Sequence, residues 1–242
     1  MGTGEAWRDA KVAASFAAER AARVPESRTQ IELLLRIVRG RLRGTTRIVD
    51  LGCGDAVLLT ALLDAFPEAT GAALDYSPAM LDLARERLSR FGDRARVAAI
   101  DLRTPDWRAA APGPVDVVVS GFAIHHLPDE RKRGVYGEIF ELLAKGGTFL
   151  NLEHVASATP AVEALHDDAI VAHQVAAARA AGNDVDPVAQ RKAYDARPDK
   201  ADNILAPVWT QCDWLRAIGF VDVDVFWKWF ELALFGGTKP CS

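Results

Sequence analysis

Short apolar runs alternate with longer amphipathic stretches through the middle of the chain. The runs RIVDL, TGAALD, RVAAI, VDVVVS and TFLNLE predict five strands. Between them, apolar residues recur at helical spacing in AVLLTALLDAF, SPAMLDLARERLSRFG and DERKRGVYGEIFELLAKGG, the last helix ending at Gly146. Alternating strands and helices predict an α/β fold, with a mostly parallel sheet between two layers of helices.

The two ends of the chain add further elements. Residues 6–23 are rich in alanine and favour a helix, and TQIELLLRIVRGRL predicts a second one with Thr29 as its N-cap. Residues 159–181 are helical in pattern, and 182–200 predict a polar loop with a short helix. NILAPVWTQCDWLRAIGF predicts a helix ending at Gly219, and VDVDVFWKWFELALFGG alternates like two antiparallel strands.

These elements predict a seven-stranded sheet within a single domain over residues 1–242, because no repeat or low-complexity linker interrupts the pattern. The expected parts are two N-terminal helices, a core, an insertion on the substrate side, and a closing helix with an antiparallel hairpin. Their expected bounds are 1–44, 45–155, 156–203 and 204–242.

Composition narrows the class of protein. Half of the 242 residues are hydrophobic, 26% are charged, and the formal net charge is −4, which argues against a nucleic-acid partner. The three cysteines show no CxxC spacing, so neither a zinc knuckle nor a disulfide scaffold is expected. The N-terminus lacks the apolar core of a secretory signal, and no run is long enough to span a bilayer. A cytoplasmic protein without membrane contact is therefore expected.

Glycines and carboxylates stand where the first three strands end. Gly52 and Gly54 follow the first strand, Asp75 closes the second, and Asp101 follows the third. A carboxylate about twenty residues after a glycine loop can accept hydrogen bonds from ribose hydroxyls. Asp101 can accept from the exocyclic amine of a purine. Each aspartate alone could be a turn residue or a helix cap, but the three strand ends together favour an adenosine ligand.

The loop after the first strand is poorly suited to phosphate. A dinucleotide fingerprint has a third small residue that lets the helix pack closely, and Val57 occupies that position here. No GxxxxGK[ST] motif is present, which excludes a P-loop. Asp50 and Asp55 also make the loop acidic. The ligand expected beside it is therefore cationic.

Several motifs together resemble the Rossmann-like, class I S-adenosylmethionine-dependent methyltransferases. They are VDLGCGDA, ALDYSPAML, AAIDL, VDVVVSGFAIHHL and LLAKGGTFLNLEHV, and the resemblance covers roughly residues 45–155. It implies a three-layer sandwich with S-adenosylmethionine as cofactor, and a helical lid formed by residues 6–40.

The resemblance also implies roles for single residues. Gly52, Cys53 and Gly54 would border the methionine part of the cofactor, with Asp50 and the Ser120 carbonyl near its amino group. Asp75 would hold the ribose. The residues implied around the adenine are Tyr76, Met80, Asp101 and Leu102.

A more distant resemblance extends over most of the chain, to the carboxy-S-adenosylmethionine synthases of tRNA modification. It rests on KVAASF…VPES, SPAM and AIGF. That family binds the additional carboxylate of its cofactor with an arginine, for which Arg197 is the candidate. Ser27 stands where the family has a tyrosine, a departure that argues against the carboxylated cofactor.

Candidates for proton transfer lie at the ends of the fourth and fifth strands. They are His125, His126, Glu153 and His154, of which His125 and Glu153 are the preferred pair. A histidine in HHLPDE can equally pack or cap a helix. Methyl transfer from a sulfonium mainly requires alignment and exclusion of water, so a base is needed only when the nucleophile arrives protonated.

For other side chains, both a functional and a purely structural interpretation are open. Tyr194 and Arg197 lie in the polar insertion and are candidates for substrate contact, or for an ordinary surface loop. The four tryptophans of the C-terminal part, Trp209, Trp214, Trp227 and Trp229, favour core packing over a substrate pocket. His166 and His173 stand seven residues apart on one predicted helix, about 10 Å, too far to share an ion. No metal is therefore predicted.

The function that these observations favour is methyl transfer from S-adenosylmethionine to a small-molecule acceptor. The alternatives are carboxy-S-adenosylmethionine synthesis and a noncatalytic module that keeps the fold as a binder. The identity of the acceptor is left open, as is the formation of a homodimer.

Overall fold

The computed structural model describes residues 24–41, 46–111, 113–197, 200 and 202–241. Its sheet has seven strands in the order β3-β2-β1-β4-β5-β7-β6. The strands are Arg47–Leu51 (β1), Thr70–Asp75 (β2), Ala95–Ala99 (β3), Val115–Gly121 (β4), Leu143–His154 (β5), Val221–Trp229 (β6) and Leu232–Thr238 (β7). Strands β1 to β5 pair in parallel, and β7 runs antiparallel to both β5 and β6. The predicted mostly parallel sheet with its antiparallel C-terminal hairpin is confirmed.

Seven α-helices are described around this sheet. They are Ser27–Arg41 (α1), Val57–Ala65 (α2), Pro78–Leu88 (α3), Asp129–Leu142 (α4), Pro160–Ala180 (α5), Pro187–Asp195 (α6) and Val208–Ile218 (α7). In the part of the chain that the structure describes, no helix combines the length and apolar character needed to cross a bilayer.

Alternating side chains of each central strand feed two separate cores. Val118 and Phe149 point to one face, where α4, α7 and Trp107 pack. Their neighbours Val119 and Leu150 point to the other face, where the apolar sides of α1, α2 and α3 pack. Such alternation is inherent to a strand, and it makes both faces of the sheet apolar. The result is the predicted three-layer sandwich.

A third, smaller cluster attaches the insertion to the sheet. Ile170, Val171 and Val175 of α5 and Tyr194 of α6 pack with Leu232 at the start of β7. The partly buried side chains around them include Trp227 and Trp229. The tryptophans of β6 therefore cover the insertion, in line with the packing role expected for them.

The boundaries of two helices differ from those predicted. Helix α1 begins at Ser27, so Thr29 lies within it and the predicted N-cap is wrong; the hydroxyl of Thr29 donates to Glu26 Oε2 at 2.9 Å. Helix α4 ends at Leu142, and the predicted end at Gly146 is also wrong. Residues after Leu142 leave the helix because β5 already pairs there, with Leu143 opposite Val115 of β4.

The predicted N-terminal lid is described only in part. The predicted helix over residues 6–23 lies outside the described residues. Helix α1 packs Leu34 and Val38 into the core with α2, so this part of the predicted lid belongs to a layer of the sandwich.

Candidate active site

The loop after β1 is built from backbone turns that only small residues accept. Gly52 and Gly54 have φ of 69° and 53°, in the left-handed region that favours glycine. The N–H groups of Gly52 and Cys53 both donate to the carbonyl of Leu74, at 2.8 and 3.0 Å. A Cβ added at Gly52 would lie 2.2 Å from the Cβ of Ala123, so the loop touches the segment after β4. The loops after β1, β2 and β4 thus meet at one edge of the sheet.

Asp50 and Cys53 face the protein interior. The carboxylate of Asp50 accepts from the N–H of Leu59 at 3.1 Å, at the N-terminal end of α2, where negative charge is favoured. Burial and the nearby charges of Asp50, Asp75 and Asp55 raise the pKa of the Cys53 thiol, which stays protonated. Asp55 pairs with Arg87 at 2.6 Å. The acidic loop therefore has a local cationic partner in α3.

Asp75 connects the glycine loop to the loop after β2. Its Oδ2 accepts from the N–H of Gly54 at 2.8 Å, and its Oδ1 accepts from the N–H of Ser77 at 2.8 Å. Ser77 also caps α3, since its hydroxyl accepts from the N–H of Met80. Burial raises the pKa of Asp75, although these backbone bonds act in the opposite direction. The carboxylate is thus fixed in orientation while remaining partly exposed.

Asp101 is held by a residue that the sequence analysis did not single out. Arg103 binds its two carboxylate oxygens through Nε and Nη2 at 2.7 to 3.0 Å, and the guanidinium lies 4.6 Å from the ring centre of Tyr76. Hydrogen bonds from Arg103 lower the pKa of Asp101. The carbonyl of Leu102 accepts from Arg131 at 2.6 Å. Tyr76 and Asp101 therefore share Arg103 as a partner, and contact of Tyr76, Asp101 and Leu102 with an adenine stays a prediction.

Two other predicted cofactor residues are buried. The hydroxyl of Ser120 donates to the carbonyl of Leu51 at 2.7 Å and joins the ends of β1 and β4. Met80 is buried in α3, while Tyr76 is partly exposed beside Arg103. Contact of Met80 and Ser120 with a cofactor stays a prediction.

His125 and Glu153 form a close pair at the ends of β4 and β5. The Nδ1 of His125 lies 2.5 Å from Glu153 Oε1, and the backbone N–H of His125 donates to Oε2 at 3.1 Å. Burial lowers the pKa of His125 well below its ordinary value and raises that of Glu153 to about 7. Burial thus favours a neutral carboxylic acid that donates to a neutral imidazole.

This pair has the arrangement of a base and the group that orients it. The side chain of Asn203 also hydrogen bonds to His125, and the ring is only 7% exposed. The catalytic role of His125 and Glu153 stays a prediction.

His126 and His154 directly follow His125 and Glu153 in the sequence and belong to the same cluster. His126 lies with its ring centre 3.9 Å from that of His125, and its Nδ1 is 3.1 Å from the carbonyl of Asp202. His154 lies 5.7 Å from His125 between ring centres, and its Nε2 is 2.9 Å from Glu231. His166 of α5 reaches the same carboxylate of Glu231 at 3.6 Å. Four histidines from distant parts of the sequence therefore meet at the carboxyl edge of the sheet.

The predicted substrate residues of the insertion contact each other. The hydroxyl of the buried Tyr194 donates to Asp167 at 3.0 Å, and the Arg197 guanidinium lies 3.9 Å from the Tyr194 ring centre. Arg197 also donates to the carbonyl of Tyr194 at 3.0 Å. These contacts hold α6 against α5, and contact of either residue with a substrate stays a prediction.

Sequence reasoning missed Arg103 and Glu231. Arg103 stands two residues after Asp101, a spacing that could have indicated the pair. Glu231 lies in an aromatic stretch whose pattern predicted only a hairpin, and nothing in that pattern indicated its histidine partners.

The comparisons with known proteins agree with this geometry. Residues 49–149 match the protein-family model described as "Methyltransferase domain". This part of the chain is similar to a methyltransferase domain, in agreement with the predicted resemblance, and the predicted Rossmann-like fold is confirmed.

Two curated relatives are similar to part of the chain. The carboxy-S-adenosyl-L-methionine synthase of Campylobacter lari is 27% identical over 147 residues, 61% of each chain. The trans-aconitate 2-methyltransferase of Rhodococcus jostii is 37% identical over 102 residues, 42% of this chain and 35% of the relative. The chain thus spans less than two thirds of the length of either relative.

A solved structure shows the same fold. Human N-acetylserotonin methyltransferase in complex with SAM superposes with a TM-score of 0.63 at 14% identity. The alignment covers 99% of this chain and 59% of that structure. The chain therefore has the fold of this methyltransferase.

Proposed function

We propose that this protein transfers a methyl group from S-adenosylmethionine to a small-molecule acceptor. The observation that carries the proposal is the position of Asp75, whose carboxylate is fixed by the N–H groups of Gly54 and Ser77. A carboxylate has about four acceptor positions, and the backbone of Tyr76 also hydrogen bonds to Asp75, so a position remains for a ribose hydroxyl. The glycine loop lies directly beside it. An adenosine-containing cation fits this set of acceptors better than a phosphate does.

The match of residues 49–149 to the methyltransferase-domain model supports the same proposed function. When bound, S-adenosylmethionine supplies an activated methyl group on a sulfonium, and the protein has to align the acceptor and exclude water. The Asp75 carboxylate would orient the nucleoside, and Gly52 would let it approach the backbone. Tyr76 and Asp101 would border the adenine, with Arg103 holding the Asp101 carboxylate in place. An acceptor that arrives protonated would have to reach the His125–Glu153 pair.

Calorimetric titration of the purified protein with S-adenosylmethionine and S-adenosylhomocysteine tests the cofactor site. Replacing Asp75 by Ala removes a charged acceptor, and hydrogen bonds to charged groups contribute about 1.5–3 kcal/mol. We therefore expect Kd to rise roughly 10- to 100-fold for both ligands. Asp64→Ala is the matched control, because Asp64 is an exposed aspartate that pairs with Arg90 on the surface.

The fold of each variant is checked by circular dichroism and thermal unfolding. Asp75→Asn serves as a second variant, since it keeps an acceptor oxygen and removes the charge. Equal affinity of wild type and both Asp75 variants would refute the assignment of this residue. No binding of either ligand to the wild type would refute the proposed function itself.

A second candidate function rests on the relative from Campylobacter lari, a carboxy-S-adenosyl-L-methionine synthase. Arg197 is the residue that would bind an additional carboxylate, and its guanidinium lies over the Tyr194 ring at the edge of the insertion. Native mass spectrometry of the purified protein separates the two candidates. A bound ligand heavier than S-adenosylmethionine by a carboxylate, lost in Arg197→Ala, would favour the synthase.

We further infer that residues 1–242 act as one unit in the cytoplasm, with a small molecule as acceptor and no nucleic acid as partner. The net charge of −4 supports this inference, because a nucleic-acid enzyme usually carries a basic surface. A homodimer is the assembly that we would test first, by light scattering during gel filtration.

A further inference from the structure

The side chains of His154, His166 and Glu231 converge on one point at the carboxyl edge of the sheet. One ligand atom of each lies within 4.8 Å of the other two. His154 ends β5, His166 lies on α5, and Glu231 lies in the turn between β6 and β7. Two consecutive elements and a turn far from them in sequence thus contribute to a single cluster. We propose that these three residues bind a divalent transition-metal ion.

The distances in the cluster suit such an ion. Ligand atoms about 2.1 Å from a tetrahedral zinc stand roughly 3.4 Å apart. The Oε2 of Glu231 lies 2.9 Å from His154 Nε2 and 3.6 Å from His166 Nε2. These two separations bracket the expected value. The third separation, between the ligand atoms of the two histidines, is within 4.8 Å, so side-chain rotations that bring the histidines together would enclose an ion.

The type of ligand selects the class of metal. Two imidazoles and one carboxylate suit zinc, iron, nickel and copper, whereas calcium and magnesium prefer sites made entirely of oxygen. Three protein ligands also leave a coordination position open, as in catalytic zinc sites. The ligand expected here is a soft or borderline divalent cation.

The protonation states are those that a metal requires. Burial lowers the pKa of His166 to about 4, so its ring is neutral near pH 7. Burial alone would raise the pKa of Glu231, but hydrogen bonds from His154 and from the N–H of Ser157 hold it below its ordinary value. A neutral imidazole and an ionised carboxylate are the metal-binding forms of both groups.

Neighbouring backbone groups position the carboxylate. The N–H of Ser157 donates to Glu231 Oε1 at 3.1 Å, which leaves Oε2 directed at the two histidines. The N–H of Glu231 reaches His166 Nδ1 only at 3.5 Å, the outer limit of a hydrogen bond. Little is therefore lost when Nδ1 carries the ring proton and Nε2 offers its lone pair. A buried carboxylate is costly unless its charge is matched, and a divalent cation would match it.

The sequence analysis considered a metal only for His166 and His173, and it predicted none. The two histidines lie on the same helix α5, about 10 Å apart by helical rise. The partners of His166 come from other elements, which the sequence does not place beside it. His173 is therefore the natural control for the experiment: the same residue type on the same helix, outside the cluster.

The test is zinc binding by the full-length protein, without a histidine tag and after treatment with a chelator. Calorimetry and elemental analysis after dialysis should show a single Zn²⁺ per chain for the wild type and for His173→Ala. We expect His166→Ala and Glu231→Gln to weaken binding by more than about 100-fold, because loss of an outer-shell partner alone costs 10- to 100-fold. Visible spectra with Co²⁺ in place of Zn²⁺ should change in Glu231→Gln.

Glu231→Gln keeps the shape of the side chain, so it separates loss of a ligand from failure to fold. Absence of zinc binding in the wild type would overturn the proposal and leave a hydrogen-bonded cluster. Equal zinc affinity in wild type, His166→Ala and Glu231→Gln would also overturn it. Neither measurement uses the methyl donor, so failure of the metal site and failure of the proposed function can be distinguished.

Discussion

At the residue scale, three aspartates at successive strand ends have three different environments. Asp50 is buried and accepts from the N-terminal end of α2. Asp75 is held by two backbone N–H groups, while Asp101 is paired with a guanidinium. Asp75 combines a fixed orientation with partial exposure at the edge of the sheet. The residue type alone did not distinguish them, because each environment comes from neighbours on another loop or turn.

Gly52 carries the clearest prediction at this scale. Replacing Gly52 by Ala places a Cβ 2.2 Å from that of Ala123, at a φ of 69°. Overpacking and a left-handed alanine together should lower the free energy of unfolding by roughly 2–4 kcal/mol. Urea unfolding measures the effect, and calorimetry should show weaker binding of S-adenosylmethionine.

The matched control is Gly137→Ala within α4. A Cβ added there meets nothing within 4 Å, so alanine should stabilise the helix by about 0.5–1 kcal/mol. If Gly52→Ala were as stable as the wild type, the close approach of the loops after β1 and β4 would be wrong.

At the element scale, the insertion depends on a few contacts between α5 and α6. The hydroxyl of Tyr194 donates to Asp167. Arg191 forms ion pairs with Asp168 at 2.5 Å and with Asp195 at 2.9 Å. The Tyr194 bond is buried and the Arg191 pairs are largely exposed. Burial rather than the number of ion pairs should therefore decide how firmly α6 is attached.

Replacing Tyr194 by Phe tests this view. The change removes one buried hydrogen bond to Asp167, which should cost about 1 kcal/mol, while the ring remains in place. Amide hydrogen exchange should become faster in α6, with little change in the central strands. Arg191→Ala is the comparison and should change stability less than Tyr194→Phe does, since exposed ion pairs contribute little. Faster exchange in α6 for Arg191→Ala alone would contradict this account.

At the scale of the whole molecule, the fold gathers four of the five histidines of the chain at one edge of the sheet. His126 shows what this does to stability. Burial, followed by the nearby His125, lowers the pKa of His126 from 6.5 to about 4. Between about pH 4 and pH 6.5 the His126 ring is therefore neutral in the folded protein, whereas the unfolded chain binds a proton there.

The sign of the pH dependence follows from that difference. Between pH 4 and 6.5 the unfolded state binds more protons at this residue, so the free energy of unfolding should rise with pH, by up to roughly 3 kcal/mol from His126. His126→Asn keeps a donor for the carbonyl of Asp202 and removes the titration. Urea unfolding at several pH values should show a shallower rise in this variant.

His173→Asn is the matched control and should leave the slope of the wild type unchanged. Parallel curves for wild type and His126→Asn would show that His126 is not the group that titrates. The other clustered histidines remain in both proteins, so the difference between the two curves isolates His126.

The sequence by itself determined the sheet, its strands and most of its helices, because apolar periodicity is a local property of the chain. It also predicted an adenosine-containing ligand, since glycines and carboxylates at strand ends are brought together by any parallel sheet. Helix ends were less well determined: α4 ends at Leu142 because β5 pairs with β4 there.

The tertiary structure decided which side chains are partners. Glu231 meets His154 and His166 only because the β6–β7 turn, β5 and α5 converge. His125 meets Glu153 because β4 and β5 are neighbours. These contacts join residues separated by 28 to 77 positions, and their pKa shifts come from burial. Periodicity carries no information on contacts at that range, whereas the packing of three layers creates them.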